Sequence, residues 1–130
     1  MKIRVYFEDT DAGGIVYHSK YINFCERARS EILFSKGLSP KNGDAFFIVR
    51  DLEAHYLKSA TLGEMLSIKT KILSTTRVSF TLLQEICNEK SEKIFFMEIK
   101  LVYIKNGKPF KMDENILKVI SSFSLIDQIG

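Results

Sequence analysis

Polar and apolar residues alternate along most of this chain, and two stretches break the rhythm. Over residues 2–8, Ile3, Val5 and Phe7 fall on one side and Arg4, Tyr6 and Glu8 on the other, the two-residue period of a half-buried strand. Residues 19–36 instead space Tyr21, Phe24, Cys25, Ala28, Ile32 and Leu33 by threes and fours, the stripe of a helix with one buried face. Ser19 is placed to cap its start, Lys36 suits its last turn, and Gly37 ahead of Ser39-Pro40 supplies a stop. Residues 38–44 read as a loop. Alternation then returns in four longer runs. Leu52, Ala54 and Tyr56 share a face of residues 46–57, and Leu66, Ile68, Thr70 and Ile72 share a face of 65–73. Val78, Phe80, Leu82, Gln84 and Ile86 share a face of 76–87, and Phe95, Met97, Ile99, Leu101 and Tyr103 share a face of 93–104. Residues 88–91 read as a hairpin turn and Asn106-Gly107 as another, while Pro109 keeps residues 105–110 out of any central strand. Asp113 is placed to cap a short second helix, the other break in the rhythm, carrying Ile116, Leu117, Ile120 and Phe123. Residues 124–130 carry no clear pattern.

One long striped helix and about five strands, mostly joined by hairpin-length turns, predict an α+β fold in which a curved antiparallel sheet wraps the helix. A chain of 130 residues makes this a single domain spanning 1–130. The two long strands at 76–87 and 93–104 also place Leu83, Phe96, Val102 and Ile104 on their second face, which points to burial by another subunit.

Charge narrows the partners. Nineteen basic and sixteen acidic residues leave a net charge of +3. That suits an anionic small ligand and is too weak, and too dispersed, for a nucleic-acid binder. Cys25 and Cys87 have no metal-ligand spacing and fall on apolar-patterned segments. They are expected to be buried free thiols, in keeping with a reducing cytoplasm. Met1-Lys2-Ile3-Arg4 enters a strand pattern without an apolar leader, and no run approaches the length of a membrane span.

The chemistry concentrates between the first strand and the long helix. Glu8-Asp9-Thr10-Asp11-Ala12-Gly13-Gly14-Ile15-Val16-Tyr17-His18 brings carboxylates, two glycines and a histidine to a helix N-terminus. The first N–H groups of a helix have no internal acceptor, and its dipole favours negative charge there. Such a place suits attack on a polarised carbonyl. Gly13 and Gly14 allow a tight turn and a close approach of substrate to backbone. Asp9 is expected to hold the loop through backbone hydrogen bonds. The Asp9-x-Asp11-x-Gly13 run fails as a calcium loop, because Gly13 offers no side-chain oxygen and the twelfth position is Lys20, so no metal is expected. His55 lies off the Leu52/Ala54/Tyr56 face, in solvent or an interface.

The run from Arg4 to His18, followed by Tyr21 and Glu26-Arg27-Ala28-Arg29, resembles the YbgC-type branch of the hotdog-fold acyl-CoA thioesterases, relatives of the 4-hydroxybenzoyl-CoA thioesterases. The resemblance continues more loosely through Tyr56–Ala60, Thr76–Phe80 and the strand at 93–104. It implies a hotdog architecture, homodimers joined sheet edge to sheet edge and often paired into tetramers, and hydrolysis of acyl-CoA at subunit boundaries with no cofactor beyond the substrate's own coenzyme A. It implies Asp11 as nucleophile or general base, and the backbone N–H of His18, with that of Tyr17 beside it, as donor to the thioester oxygen. The His18 imidazole would orient water or protonate the departing thiolate. Gly13, Gly14, Lys58, Ser59 and Arg77 would contact the pantetheine arm or nucleotide, and Tyr21, Phe24 and Phe47 would shape the acyl pocket. The competing reading is a scaffold that holds acyl-CoA or acyl-carrier protein near phospholipid synthesis. A hotdog dehydratase is disfavoured, since its histidine-centred motif is absent.

Overall fold

The computed structural model describes residues 1–124. The patternless stretch at 124–130 and the end of the 1–130 domain therefore fall, apart from Ser124, outside the described residues. In chain order the elements are β1 (Lys2–Arg4), α1 (His18–Ser35), β2 (Lys41–Asn42), β3 (Ala45–Tyr56), β4 (Met65–Thr75), β5 (Ser79–Cys87), β6 (Lys93–Lys105), β7 (Lys108–Pro109) and α2 (Glu114–Ser121). The sheet is antiparallel in the order β1-β4-β5-β6-β3-β2, with β7 folded back onto β6. The five strands expected from alternation are all present. The two additions, β2 and β7, are two-residue pieces too short to show a period.

The sheet curls around α1, and the buried stripe of that helix is the predicted one: Tyr21, Phe24, Cys25, Ala28, Ile32 and Leu33. It packs against Leu66 and Ile68 of β4, Leu82 and Ile86 of β5, and Phe95, Met97 and Ile99 of β6 in one core cluster. Bulges bend the long strands. Arg50 is the extra residue of β3 against β6, Leu73 that of β4 against β5, and Ile94 that of β6 against β5. Each bulge shifts the alternation by one. This is why Phe47, ahead of Arg50, packs on the core rings of Phe80 and Tyr103 although Leu52, Ala54 and Tyr56 lie opposite the buried Ile99, Met97 and Phe95. It is also why adjacent Ile94 and Phe95 are both buried.

Two sequence expectations about boundaries are corrected. The first strand stops at Arg4 rather than Glu8. Val5 is buried, but Phe7 is 80% exposed. The cause is Asp9, whose carboxylate accepts the Tyr6 N–H at 2.9 Å and folds residues 7–9 into a 3-10 turn. The long helix begins one residue early, so Ser19 lies inside it and Tyr17 takes the capping position, with no side-chain cap hydrogen bond. Gly37 ends the helix in the left-handed region as expected. Asn106 and Gly107 both take positive φ in the β6–β7 turn, as a two-residue hairpin requires, and Asp113 caps α2 by accepting the Ile116 N–H at 2.8 Å. Cys25 is buried, whereas Cys87 is only partly so, because it is the last residue of β5. Desolvation pushes the Cys25 thiol up to about 12. Among the described residues no helix is long and apolar enough to cross a membrane.

Candidate active site

The loop between β1 and α1 is held by its own backbone. Asp11 N–H donates to the Ile15 carbonyl at 2.9 Å, Gly14 N–H to the Asp11 carbonyl at 3.0 Å, and Val16 N–H to the Ala60 carbonyl at 2.9 Å. Asp9 is buried and acts as the internal strut: its side chain takes Tyr6 N–H and its carbonyl takes Tyr17 N–H at 2.9 Å. Asp11 points the other way. It is exposed and lines an open depression with Phe7, Glu8, Thr10, Ala12 and Gly14.

Its carboxylate is aimed by one hydrogen bond, from Gly13 N–H to Oδ1 at 2.8 Å, which leaves Oδ2 for chemistry. The two glycines serve this geometry differently. Gly14 sits at φ +79°, where a side chain is strained. Gly13 does not, but a Cβ there would stand 3.2 Å from Asp11 Oδ1. The carboxylate folds over the space that a side chain at Gly13 would claim.

The helix start is the second half of the site. The Tyr17 N–H, predicted as a helper to the oxyanion, is already committed to the Asp9 carbonyl. This corrects the expectation and leaves the His18 N–H, which as the first helical amide has no intrahelical acceptor. The Tyr17 carbonyl accepts the Lys20 N–H at 2.9 Å, and that polarises the peptide whose N–H belongs to His18. The exposed His18 ring rests against Tyr17, with centroids 4.4 Å apart.

Two tyrosines that sequence reasoning assigned elsewhere clamp this helix start. The Tyr56 hydroxyl, from the end of β3, donates to the His18 carbonyl at 2.8 Å. The Tyr21 hydroxyl accepts the Ala60 N–H at 3.0 Å. Both rings pack on Phe95. Burial raises both phenol pKa values, for Tyr21 mainly by desolvation and for Tyr56 by desolvation alone, so both stay neutral hydroxyls. The only sequence signal for Tyr56 is a hydroxylated residue at the end of an apolar face, which reads equally well as core.

The remaining predicted residues divide. Lys58 and Ser59 are exposed beside Ala60 and Thr61, the segment that pairs with Val16 and Ile15. Lys58 is ion-paired with Glu92. Hydrogen bonds from Lys58 and Asn88 hold the Glu92 carboxyl below its usual range. Arg77 lies in the β4–β5 turn, at the opposite end of β4 from Met65 and β1, so one chain does not bring it to Asp11. Tyr21 and Phe24 are buried in the core, while Phe47 lines a separate cleft. His55 stacks on Phe96 and bonds Glu53 at 3.0 Å on the outer side of the sheet.

Comparison with known proteins identifies the family. Residues 13–95 match the sequence profile of the thioesterase superfamily. The chain is 39% identical over 115 residues to an acyl-CoA thioesterase YbgC of Helicobacter pylori, covering 82% of this chain and 86% of the relative. It is 38% identical over 118 residues to an acyl-CoA thioester hydrolase YbgC of Escherichia coli, covering 88% and 86%. Among solved structures, a hypothetical protein of Aquifex aeolicus superposes with a TM-score of 0.86 at 27% identity, over 92% of this chain and 97% of the other. A DHNA-CoA thioesterase of Staphylococcus aureus does so at 0.85 and 26% identity, over 100% and 93%. The fold of a helix wrapped by a curled antiparallel sheet thus recurs with the sequence match, and the chain belongs to the thioesterase superfamily, in its YbgC-type hotdog branch.

Proposed function

We propose that this protein hydrolyses acyl-CoA thioesters to a free acid and coenzyme A, with Asp11 as the reacting carboxylate and the His18 N–H as oxyanion donor. The activity is that of its relatives named acyl-CoA thioesterase. The observation that carries the residue assignment is one loop presenting an exposed carboxylate, aimed by Gly13, just ahead of a helix start with no side-chain cap.

Two routes use the same atoms. As general base, Asp11 Oδ2 takes a proton from water while the water oxygen bonds the thioester carbon. As nucleophile, Oδ2 bonds that carbon itself, and water later opens the mixed anhydride. In both, the carbonyl oxygen gains charge and receives the His18 N–H, the C–S bond breaks, and the thiolate takes up a proton. The His18 imidazole, on the same turn, supplies that proton or orients the water. Lys58 and Ser59 flank the same segment as the pantetheine arm would.

Release of free thiol from short, long and aromatic acyl-CoA substrates tests the reading. Asp11→Asn should lose roughly two to four decades in kcat with its fold intact, the usual cost of removing a group of this kind. Undiminished turnover in that variant would refute the assignment of Asp11. Absence of turnover in wild type on every chain would refute the activity.

A further inference from the structure

Among the residues expected to contact substrate, Lys58 is the cation placed beside the Asp11 loop, and its charge is already engaged. Its backbone is pinned on both sides. The Leu57 and Lys58 N–H groups share the Ile94 carbonyl of β6, at 2.9 and 3.1 Å, and two residues on, the Ala60 carbonyl accepts the Val16 N–H at 2.9 Å. The Lys58 side chain is 57% exposed, and its ammonium has one polar partner among the described residues, the Glu92 carboxylate.

Glu92 is the fixed member of that pair. It closes the turn between β5 and β6, where its N–H donates to Asn88 Oδ1 at 3.0 Å and its carbonyl accepts the Asn88 N–H at 3.0 Å. Its carboxylate is shared out: Oε1 accepts Asn88 Nδ2 at 3.0 Å, and Oε2 accepts Lys58 Nζ. Of the nearby cations, Lys90 attracts it only through space, and Lys93 is paired with Glu85. A carboxylate built into a turn thus faces an ammonium on a flexible four-carbon stem. Exposed pairs of this kind are weak, so a multiply charged anion can draw the ammonium away. The carboxylate, held by Asn88, stays where it is.

We propose that Glu92 sets how tightly this protein holds coenzyme A: it competes with the phosphates of the substrate for Lys58, and it stays beside them as a like charge once Lys58 has moved. The inference rests on the acyl-CoA reading and adds to it a residue that weakens binding. Its use lies at the end of the reaction. Released coenzyme A carries the same phosphates as the substrate, and product release limits many enzymes. A carboxylate waiting to take Lys58 back speeds that departure.

Calorimetric titration of the full-length protein with coenzyme A tests this. Glu92→Gln keeps an oxygen for Asn88 and removes the charge, and it should bind coenzyme A about three- to tenfold more tightly than wild type at low salt. The gain should fall below about twofold at about 0.5 M salt, where exposed charges are screened. In a Lys58→Gln background the same substitution should gain about twofold or less, because the contested cation is gone. KM for an acyl-N-acetylcysteamine thioester, which carries no phosphate, should shift less than about twofold in Glu92→Gln. Coenzyme A binding that Glu92→Gln leaves unchanged or weakens, an equal gain with and without Lys58, a gain that survives high salt, or an equal fall in KM for the phosphate-free thioester would each overturn the inference and leave the thioesterase reading standing. Absence of both coenzyme A binding and thioester turnover in wild type would instead refute that reading, and this inference with it.

Discussion

At the scale of single residues the site depends on how Asp11 and His18 are held. Gly13 lies outside the left-handed region, so alanine is compatible with its backbone, but the new methyl would press on Asp11 Oδ1 at 3.2 Å. Gly13→Ala should therefore lower kcat on the order of tenfold by displacing the carboxylate a few tenths of an ångström, with little change in thermal unfolding. An unaltered kcat would show that the Gly13–Asp11 contact has no catalytic bearing. Tyr56 tests the other half. Its hydroxyl is the link between β3 and the His18 carbonyl, and half its surface is exposed. Tyr56→Phe keeps the ring against Phe95 and should cost no more than about 1 kcal/mol of stability. If the hydroxyl sets the His18 peptide, kcat falls several-fold while KM moves little; equal loss in both, or in neither, would assign Tyr56 to packing alone. Asp11, the glycines and the helix start could all be read from the loop sequence, because carboxylate, glycine and helix signals are local. Tyr56 could not, since its role depends on a 38-residue separation closed only by the fold.

Elements were legible where a period runs unbroken and illegible where a bulge or a local side-chain bond resets it. The α1 stripe and the inward faces of β4 and β5 follow the spacing directly. The first strand misled because Asp9 captures the Tyr6 N–H, an exchange that alternation does not register. The β3 face changed parity at Arg50, as bulges have no signature in residue type. Capping is the local signal that served best at α2. Asp113 accepts the Ile116 N–H, and the helix it starts buries Ile116, Val119 and Ile120 against the sheet. Asp113→Ala should destabilise the protein by about 1 kcal/mol, lowering Tm by a few degrees, while Asp113→Ser should recover most of the loss. Thermal unfolding by circular dichroism reads both, and no difference between alanine and wild type would mean that packing alone holds α2.

At the scale of the whole molecule, one edge of the sheet lies open among the described residues. β2 covers only Ala45 and Phe46 of β3, and from Ile48 to Tyr56 no strand lies beyond it among the described residues. That edge carries exposed Ile48, Val49, Leu52 and Tyr56, a combination that isolated sheets avoid. A second copy placed antiparallel about a two-fold axis would satisfy it and extend the sheet across both chains. The same operation solves a problem that one chain leaves open. Tyr56 ends β3 beside His18, whereas Arg77 lies at the end of the sheet where Val102 pairs with both Ser79 and Ile48. Such antiparallel pairing would set the Tyr56 end of one chain beside the Ile48 end of the other, and so would turn the end of the second copy that carries Arg77 towards Asp11. The expected mass by analytical ultracentrifugation is at least twice the 14.9 kDa of the chain. Leu52→Lys, which sets like charges near each other across the axis, should shift the protein towards single chains and reduce thioester hydrolysis in step, with hydrolysis recovering at high protein concentration. A wild-type protein that sediments as one chain while hydrolysing acyl-CoA would mean that the edge is not an interface and that Lys58 and Ser59 must hold the nucleotide without Arg77.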